Sequence, residues 1–468
     1  MCSSLEVGGM ERNRWWPVIG CGLVVFMATL DTSIVAVALP AVERDFGART
    51  AATQWAVLGY LIPLVALSLP AGRWLDRGGP RAALVLATGG FTLSSLAAGL
   101  APHLAVLVAA RVVQGAFAAV LFALIPLVSM RAVRPELAGR ASALVMTLGP
   151  LGAVSGPALG GPIVQSWGWP WIFYINVPAG LLVIAIALAS LDRDALGRPD
   201  RTFAGEALLL GAAATALLLA LSLAAGRGPG WLLVAVAAVP ALAGWWRTRA
   251  SGPVRDLMRV PPAAGPVAAI MLNALVISLV EFLAPFYLQR VLHLSPTATS
   301  ATVLAMPAAM VAAGPVGGLL GDRWGTARTA AAGTAVTALG VLLLVPVGSG
   351  LHASGLAWRL AIAGAGTGLF AGPGFAMLMA HAPPRLHGTA GAAQSLARQL
   401  GFALGPASAT LAWAASGYAM TGMRTAFAVA AAAGLAALVA LAAPRLAGRL
   451  RRGGHADAVR DHEPVRSP

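Results

Sequence analysis

Long, uninterrupted apolar segments limit the fold of this chain more than any other feature. A membrane-spanning α-helix needs about 20 predominantly apolar residues, whereas the strands of a membrane β-barrel are shorter and alternate in polarity. The 468 residues contain continuous apolar segments of the first kind. The chain is therefore predicted to be an all-α polytopic membrane protein with 14 transmembrane helices, near 16–38, 53–72, 81–101, 104–130, 139–164, 171–190, 203–224, 229–247, 262–286, 297–320, 326–348, 355–380, 388–414 and 424–443.

Composition excludes several other classes of protein. Apolar residues make up 58% of the chain and charged residues 10%, whereas soluble domains have about 25% charged residues. The helices and their loops use nearly the whole length, which leaves no room for a separate catalytic domain. The sequence shows no nucleophile–base set and no metal-ligand spacing, and without Lys it cannot form the phosphate loop of an ATP-driven pump. An enzyme is therefore disfavoured, and no metal or cofactor is expected.

The distribution of arginine predicts the orientation in the membrane. All 32 basic residues are Arg, and the net charge is +15. If both termini are cytoplasmic, most of these residues lie in cytoplasmic loops, which satisfies the positive-inside rule. The residues that then fall on the other side are Arg44, Arg49, Arg227, Arg290 and Arg424. Because the charges are spread over short loops, we expect contacts with membrane lipids and none with nucleic acid.

An internal repeat predicts how the helices are organised. The segment 72–81 (GRWLDRGGPR) recurs at 318–328 (GLLGDRWGTAR), Arg111 recurs as Arg359, and Gly156-Pro157 recurs as Gly405-Pro406. Matches in the same order at nearly one offset indicate two copies of a six-helix unit. The predicted organisation is a cytoplasmic tail at 1–15, an N-terminal bundle at 16–190, an inserted hairpin with polar connectors at 191–260, a C-terminal bundle at 261–443 and a basic cytoplasmic tail at 444–468.

Charged residues inside the apolar segments are the strongest candidates for function. Asp31 and Glu281 are the acids that lie well inside such segments, and Arg111 lies inside another. A charge at the membrane centre costs about 2.5–3.5 kcal/mol on insertion scales, so these residues usually face a cavity and mark an ion path. Because burial disfavours the charged form of a carboxyl group, either acid could bind and release a proton. Alternatively, Asp31 is a packing acid and Glu281 lies nearer the outer interface.

Two loop and helix motifs carry further candidate residues. Gly72, Asp76, Arg77, Gly79 and Arg81 form a cytoplasmic turn, and Asp322-Arg323 is its copy. We interpret this turn as a latch of one conformation; the alternative is a solvated ion pair. On the fifth helix, the residues Gly152, Gly156, Pro157, Gly160 and Gly161 make a smooth stripe with a helix-bending proline. We expect this stripe to meet the tenth helix, in the other bundle; ordinary helix packing is the alternative.

Five motifs in order resemble those of the major facilitator superfamily, and within it the fourteen-span drug:proton antiporter family. They are LDTSIVAVALP at 30–40, TQWAVLGYL at 53–61, GRWLDRGGPR at 72–81, LVAARVVQGAFAA at 107–119, and GAVSGPALGGPI at 152–163 followed by WGWPWIFYINVPAG at 167–180. Ala36, Pro80 and Pro170 depart from the usual Asn, basic residue and Arg of these motifs. The resemblance implies two bundles around a central cavity and a proton-coupling role for Arg111 with Gln114; a purely structural pairing of Arg111 is the alternative.

These features predict a proton-coupled antiporter of the bacterial inner membrane that exports lipophilic drugs, antibiotics or related natural products. Its expected partners are a small lipophilic substrate, which could be cationic, together with protons and membrane lipids, and the protein is expected to be a monomer. The proton gradient would be its energy source. The alternatives are a narrow-specificity metabolite exporter with the same chemistry and a non-transporting membrane sensor or scaffold.

Overall fold

A computed structural model describes residues 14–75, 79–134, 138–199, 201–348, 350–383 and 386–460. The described residues form helices and connecting loops without a β-strand. The α-helices are α1 (Trp15–Asp45), α2 (Thr50–Thr53), α3 (Trp55–Leu75), α4 (Pro80–Gly99), α5 (Leu104–Arg131), α6 (Ala138–Trp167), α7 (Trp171–Tyr174), α8 (Asn176–Ser190), α9 (Arg201–Arg227), α10 (Ala238–Arg247), α11 (Gly252–Met258), α12 (Pro261–Arg290), α13 (Pro296–Val303), α14 (Ala305–Trp324), α15 (Thr326–Leu342), α16 (Ala353–His381), α17 (His387–Ala414) and α18 (Met420–Arg460).

Local sequence accounts for several of the helix boundaries. Ser295 caps α13, since its hydroxyl accepts a hydrogen bond from the amide of Ala298, and Pro296 occupies the first turn, where a missing N–H costs nothing. Gly325 separates α14 from α15 with a φ of +88°, in the region that favours glycine. These signals divide the apolar segments into helices at the expected places.

Eleven segments among the described residues are long and apolar enough to cross a membrane. The predicted spans at α6, α15 and α17 are not among them, although each is a helix, of 30, 17 and 28 residues. The helix α15 is short, and α17 carries Arg398 and Gln399 in its interior. The all-helical membrane fold is confirmed, and the count of fourteen stays a prediction.

One predicted helix has a different structure. The segment 229–247 begins as a 3₁₀ helix over Pro229–Ala237 and becomes α-helical only in α10. Such long 3₁₀ segments are uncommon. Pro229 and Gly230 begin the segment, and both residue types weaken an α-helix. The segment is apolar and long enough to cross a membrane, as predicted, and its first half is 3₁₀ in place of α-helical.

The helices pack as two sets with a hairpin between them. In the N-terminal set, α1–α8, α1 lies against α6 and α8, and α5 lies against α3 and α4. In the C-terminal set, α12–α18, α12 lies against α17 and α18, and α16 lies against α14 and α15. The hairpin consists of α9, the 3₁₀ helix and α10; its helix α9 contacts both α3 and α17. The two sets also contact each other directly, through α1 with α12, α6 with α13 and α3 with α17.

Candidate functional site

A buried ion pair between α1 and α5 is the centre of the candidate site. Arg111 Nη1 donates a hydrogen bond to Asp31 Oδ2 at 2.5 Å, and both side chains are at most 1% exposed. Arg111 Nε donates to the carbonyl of Ala56 at 2.9 Å, and the guanidinium lies 4.3 Å from the centre of the Tyr60 ring. A buried charge is tolerated only when it is paired and hydrogen-bonded. The structure thus brings together two of the charged residues that the sequence analysis selected.

Two amides complete the coordination of the Asp31 carboxylate. Gln114 Nε2 donates to Asp31 Oδ1 at 3.1 Å, and Asn176 Nδ2 donates to the same oxygen at 2.9 Å. Asn176 also donates to Ser95 Oγ at 3.0 Å, and Ser95 donates to the carbonyl of Phe173 at 2.9 Å. The network therefore joins α1, α5, α8 and α4 of the N-terminal set. Asn176 and Ser95 were missed by the sequence analysis; the signal available for Asn176 was a polar residue within the apolar motif at 167–180.

Gln114 also contacts the cation of the pair. Arg111 Nη1 donates to Gln114 Oε1 at 2.7 Å, so this amide donates to the carboxylate and accepts from the guanidinium. Its side chain is fully buried, as is that of Asp31. In this conformation the carboxylate is enclosed by protein groups and is not open to a substrate.

Glu281 lies apart from this network, in the second half of α12. It is partly exposed, whereas its neighbours from Ser278 to Leu288 are buried. Among the described hydrogen bonds and ion pairs, none involves its carboxylate. The two candidate acids therefore have different environments: Asp31 is fully buried and paired, and Glu281 is partly exposed and has no partner among the described residues.

The glycine stripe of α6 meets a different helix from the one expected. A Cβ atom built on Gly152 would collide with Thr29, one on Gly156 with Ser33, and one on Gly160 with Ile34. These partners all belong to α1, in the same set, so the expectation that the whole stripe faces the other set was wrong.

Helical geometry explains the difference. Positions four and eight residues apart share one face of a helix, but the next position is turned by about 100°. Gly161 therefore faces another way: its Cβ would collide with Ser300 of α13, and its amide donates to Ser300 Oγ at 2.7 Å. Gly161 alone meets the predicted tenth helix. Pro157 also lies inside α6, four residues before Gly161 and therefore on the same side of the helix as that glycine.

Polar contacts between the two sets gather at one end of the molecule, where α1 and α12 end and α13 begins. Arg290 of α12 forms an ion pair with Glu43 of α1 and donates to Thr50 Oγ1 at 3.3 Å. Thr297 Oγ1 donates to Gln165 Oε1 at 2.7 Å. We call this group the outer seam, after the side of the membrane on which the arginine distribution predicts it to lie, and define it by Glu43, Thr50, Gln165, Arg290, Thr297 and Ser300. The described hydrogen bonds and ion pairs between the sets all lie in the outer seam or close to it.

The predicted latch is only partly visible. Asp76 and Arg77 lie outside the described residues. The amide of Gly79 donates to the carbonyl of Ala195 at 3.1 Å, and the amide of Arg81 donates to Asp194 Oδ2 at 2.9 Å. The partner of this turn is therefore the segment that follows α8.

The other members of the latch prediction make few contacts. Asp322 and Arg323 are exposed at the end of α14, and the described residues include no hydrogen-bond or ion-pair partner for either. A Cβ atom on Gly72 would meet no atom within 4 Å. A latch role for these residues stays a prediction.

Sequence comparison assigns the chain to a family. The model of the Major Facilitator Superfamily matches residues 21–406 and 267–458. This chain belongs to the Major Facilitator Superfamily. It is 32% identical over 409 residues to the multidrug resistance protein Stp of Mycobacterium tuberculosis. The match covers 85% of this chain and 75% of that protein. The protein is accordingly a multi-pass membrane transporter and not an enzyme.

Further proteins that are similar to this chain differ in the compounds that their names describe. The tetracenomycin C resistance and export protein of Streptomyces glaucescens is 32% identical over 420 residues, covering 85% of this chain and 75% of that protein. The riboflavin transporter RibZ of Clostridioides difficile is 29% identical over 400 residues, covering 85% and 87%. Both resistance proteins and a riboflavin transporter are therefore similar to this chain.

Solved structures agree with the fold. A bacterial homologue of the lysosomal transporter Spinster, in an inward-facing and occupied conformation, superposes with a TM-score of 0.66 at 17% identity, covering 94% of this chain and 98% of that one. The peptide transporter POT in complex with sulfate gives 0.67 at 14% identity, covering 92% and 94%. At these identities the comparison concerns the fold alone.

Superfamily transporters work by rocking two helix bundles about a central site, so contacts at one end must break during the cycle. We expect Arg290→Gln to open the outer seam more often, because it removes the ion pair with Glu43. Arg290 is 36% exposed and Glu43 is 11% exposed. A pair in partial contact with water contributes about 1 kcal/mol, which is about fivefold in a conformational equilibrium. The measurement is the rate at which a membrane-impermeant maleimide labels Ser300→Cys in whole cells, with Cys2 and Cys21 replaced.

Two variants control this experiment. Arg424→Gln removes an arginine that bonds to the carbonyl of Val347 inside the C-terminal set, so it should leave labelling unchanged. The charge exchange Glu43→Arg with Arg290→Glu should return labelling toward the parent rate. Equal labelling in Arg290→Gln and its parent would show that the pair does not hold the outer seam closed.

Proposed function

We propose that this protein is a proton-coupled exporter of lipophilic small molecules, with Asp31 as the proton-binding group. The observation that carries the proposal is the enclosed Asp31 carboxylate, which is held by Arg111, Gln114 and Asn176 inside a membrane transporter. Protonation of a buried acid removes its attraction to the neighbouring cation, so it changes the interactions between the helices that carry the two groups.

The network suggests how a proton is accommodated. Protonation of Asp31 removes the negative charge that balances Arg111, and a buried cation without a partner is destabilising. Arg111 keeps two other acceptors, the carbonyl of Ala56 and Gln114 Oε1. These acceptors keep the guanidinium of Arg111 hydrogen-bonded after Asp31 has taken up a proton.

The helix α1 connects this event to the outer seam. Asp31 and Glu43 lie 12 residues apart on α1, which is about 18 Å along the helix axis. A shift of α1 that follows protonation of Asp31 would therefore be transmitted to the ion pair with Arg290. We propose that proton binding from outside and opening of the outer seam are coupled through this helix.

The similar proteins favour export of a drug or natural product. Stp and the tetracenomycin protein carry resistance or export in their names, and both are similar to this chain over most of its length. A narrow-specificity transporter of a metabolite is the second candidate, favoured by the similarity to RibZ. We further propose a monomer in the bacterial inner membrane with both termini in the cytoplasm and with no cofactor, the proton gradient supplying the energy.

Inverted membrane vesicles test the proposal. An imposed pH gradient, acidic inside, should drive uptake of the exported compound, and an uncoupler should abolish that uptake. The panel should contain ethidium, chloramphenicol, tetracenomycin C and riboflavin, so that drug and vitamin transport are distinguished. Uptake of a compound that persists unchanged with the uncoupler would refute proton coupling; uptake of riboflavin alone would favour the second candidate.

A substitution of Glu281 tests its role in selecting substrates. We expect Glu281→Gln to weaken transport of cations such as ethidium on the order of tenfold, as the loss of about 1.4 kcal/mol of attraction would do, while neutral chloramphenicol is unaffected. The physical reason is that the carboxylate of Glu281 in α12 is partly exposed and has no partner among the described residues, which leaves its charge for a cationic substrate. The measurement is the initial rate of pH-driven uptake of each compound in vesicles.

The matched control for Glu281 is Asp256→Asn. Asp256 is an acid outside the spans, paired with Arg259 at 3.6 Å, and its loss should change neither rate. An equal loss of cationic and neutral transport in Glu281→Gln would instead assign Glu281 to proton coupling.

A further inference from the structure

The inserted hairpin is attached to the N-terminal set at both ends of its long helix. At one end, the carboxylate of Glu206 in α9 forms an ion pair with Arg73 of α3 and also accepts a hydrogen bond from Trp245 Nε1 at 3.0 Å. At the other end, Ser222 Oγ accepts from Gln54 Nε2 at 3.1 Å and from Trp55 Nε1 at 2.9 Å. These two attachment points are 16 residues apart, or about 24 Å along the helix.

The burial of these groups makes the attachment strong. Glu206 is 2% exposed, Ser222 is 7% exposed and Gln54 is fully buried. In the ion pair, the Glu206 side chain is 1% exposed, whereas the Arg73 side chain is 39% exposed. Loss of Arg73 would leave a buried carboxylate without its cation, which costs more than the loss of a pair between two exposed groups. Between the two points, a Cβ atom built on Gly211 would lie 3.3 Å from the Cβ of Ala66 in α3, so the two helices are also in direct contact in the middle.

The polar segment before α9 adds to this attachment. Trp74 Nε1 donates to the carbonyl of Gly197 at 2.7 Å, and the carboxylate of Asp194 accepts from the amides of Arg81 and Ala82 at 2.9 and 2.8 Å. This segment is thus bound along α3 and the start of α4. It is not a free linker between two moving bodies.

The contact between the hairpin and the C-terminal set consists of helix packing, unlike the hydrogen-bonded attachment to the N-terminal set. The helix α9 also packs against α17. For residues Glu206 to Arg227 of α9, however, the described hydrogen bonds and ion pairs lead to the N-terminal set or to α10. A contact without directional bonds can slide, whereas buried directional bonds must break before the helices move apart.

We propose that Glu206 and Ser222 are positioning residues that fix the hairpin to the N-terminal set, so that the helices α1–α10 move as one body and α9 slides on α17 during transport. The connection between the moving bodies is then the stretch between Trp245 and Leu257, since Leu257 is fully buried in the core of the C-terminal set. The proposal rests on the rocking motion of the superfamily and not on proton coupling or on the identity of the substrate.

Pulsed electron paramagnetic resonance on the full chain tests this division. Spin labels are placed, with Cys2 and Cys21 replaced, on three exposed leucines: Leu93 in α4, Leu208 in α9 and Leu319 in α14, which are 68%, 72% and 63% exposed. Each pair is measured in nanodiscs at pH 5 and pH 8, alone and with Arg290→Gln. We expect the distribution of distances between labels 93 and 208 to be narrow and to keep the same mean under all conditions. The distribution for labels 208 and 319 should be broader, and its mean should change together with that for labels 93 and 319.

Two further variants show whether Glu206 carries the attachment. Glu206→Gln should increase the width of the 93–208 distance distribution at least twofold, whereas Asp256→Asn, the loss of an exposed acid, should not change that width. The proposal is overturned if the 93–208 distance distribution is as broad as the 208–319 distribution, or if its mean shifts between conditions. It is also overturned if the distribution stays narrow in Glu206→Gln.

Discussion

Asp31→Asn should abolish substrate accumulation driven by a pH gradient, to less than about a tenth of the wild-type rate. Asparagine keeps the shape of the side chain but cannot carry the proton or the charge. The substitution also leaves Arg111 without the carboxylate that lies 2.5 Å away, and losing one partner of a buried pair costs about 3–5 kcal/mol. The measurement combines pH-driven uptake in vesicles, exchange without a gradient, and the amount of protein in the membrane.

A double variant separates coupling from folding. Asp31→Asn with Arg111→Gln removes both buried charges, so we expect it to restore the amount of membrane protein without restoring pH-driven uptake. Exchange without a gradient should survive in the double variant, because it needs no proton. Wild-type uptake with an unchanged pH profile in either variant would show that Asp31 is structural, and the proton-binding role would pass to Glu281.

Gly156→Val should reduce both folded protein and transport. A Cβ atom at this position would overlap Ser33 Oγ and lie 2.8 Å from the backbone nitrogen of Ile34. Overpacking costs about 1–3 kcal/mol in well-packed cores, and this site belongs at the upper end because backbone atoms cannot move aside. Displacement of α1 here also disturbs Asp31, two residues before Ser33. The measurement is thermal stability in detergent together with uptake in vesicles.

Gly314→Val is the matched control for this substitution. It makes the same change of residue in α14, where a Cβ atom would meet nothing within 4 Å. We expect normal stability and normal transport from this control. Normal transport in Gly156→Val would show that α1 and α6 can separate without loss of function, contrary to the tight contact in the structure.

Residue chemistry was sufficient to select the charged candidates but not to pair them. A charged residue within an apolar segment can be recognised from the sequence without knowledge of its neighbours in space, so Asp31, Glu281 and Arg111 could be identified. That Asp31 meets Arg111, while Glu281 stays apart, depends on which helices are neighbours. Asn176 was missed because an uncharged amide in an apolar segment costs less than a charge and gives a weaker signal.

The glycine stripe on α6 was likewise predicted from the sequence, whereas the helix that it contacts was not. The spacing of Gly152, Gly156 and Gly160 identifies a smooth face, because the period of a helix is a local property. The spacing does not say which helix that face meets, and α1 proved to be the partner. The turn of about 100° to Gly161 directs a single glycine to the other set.

The sequence by itself determined that this protein is an all-helical membrane transporter of the Major Facilitator Superfamily, because apolar length, arginine placement and motif order are properties of single segments. Only the tertiary structure decided the enclosure of Asp31, the outer seam between Glu43 and Arg290, and the attachment of the hairpin through Glu206 to Arg73. Each of these pairs joins residues on different helices that are at least 80 positions apart in the chain. Contacts of that kind follow from which helices pack together, and the pattern within a single segment does not contain this information.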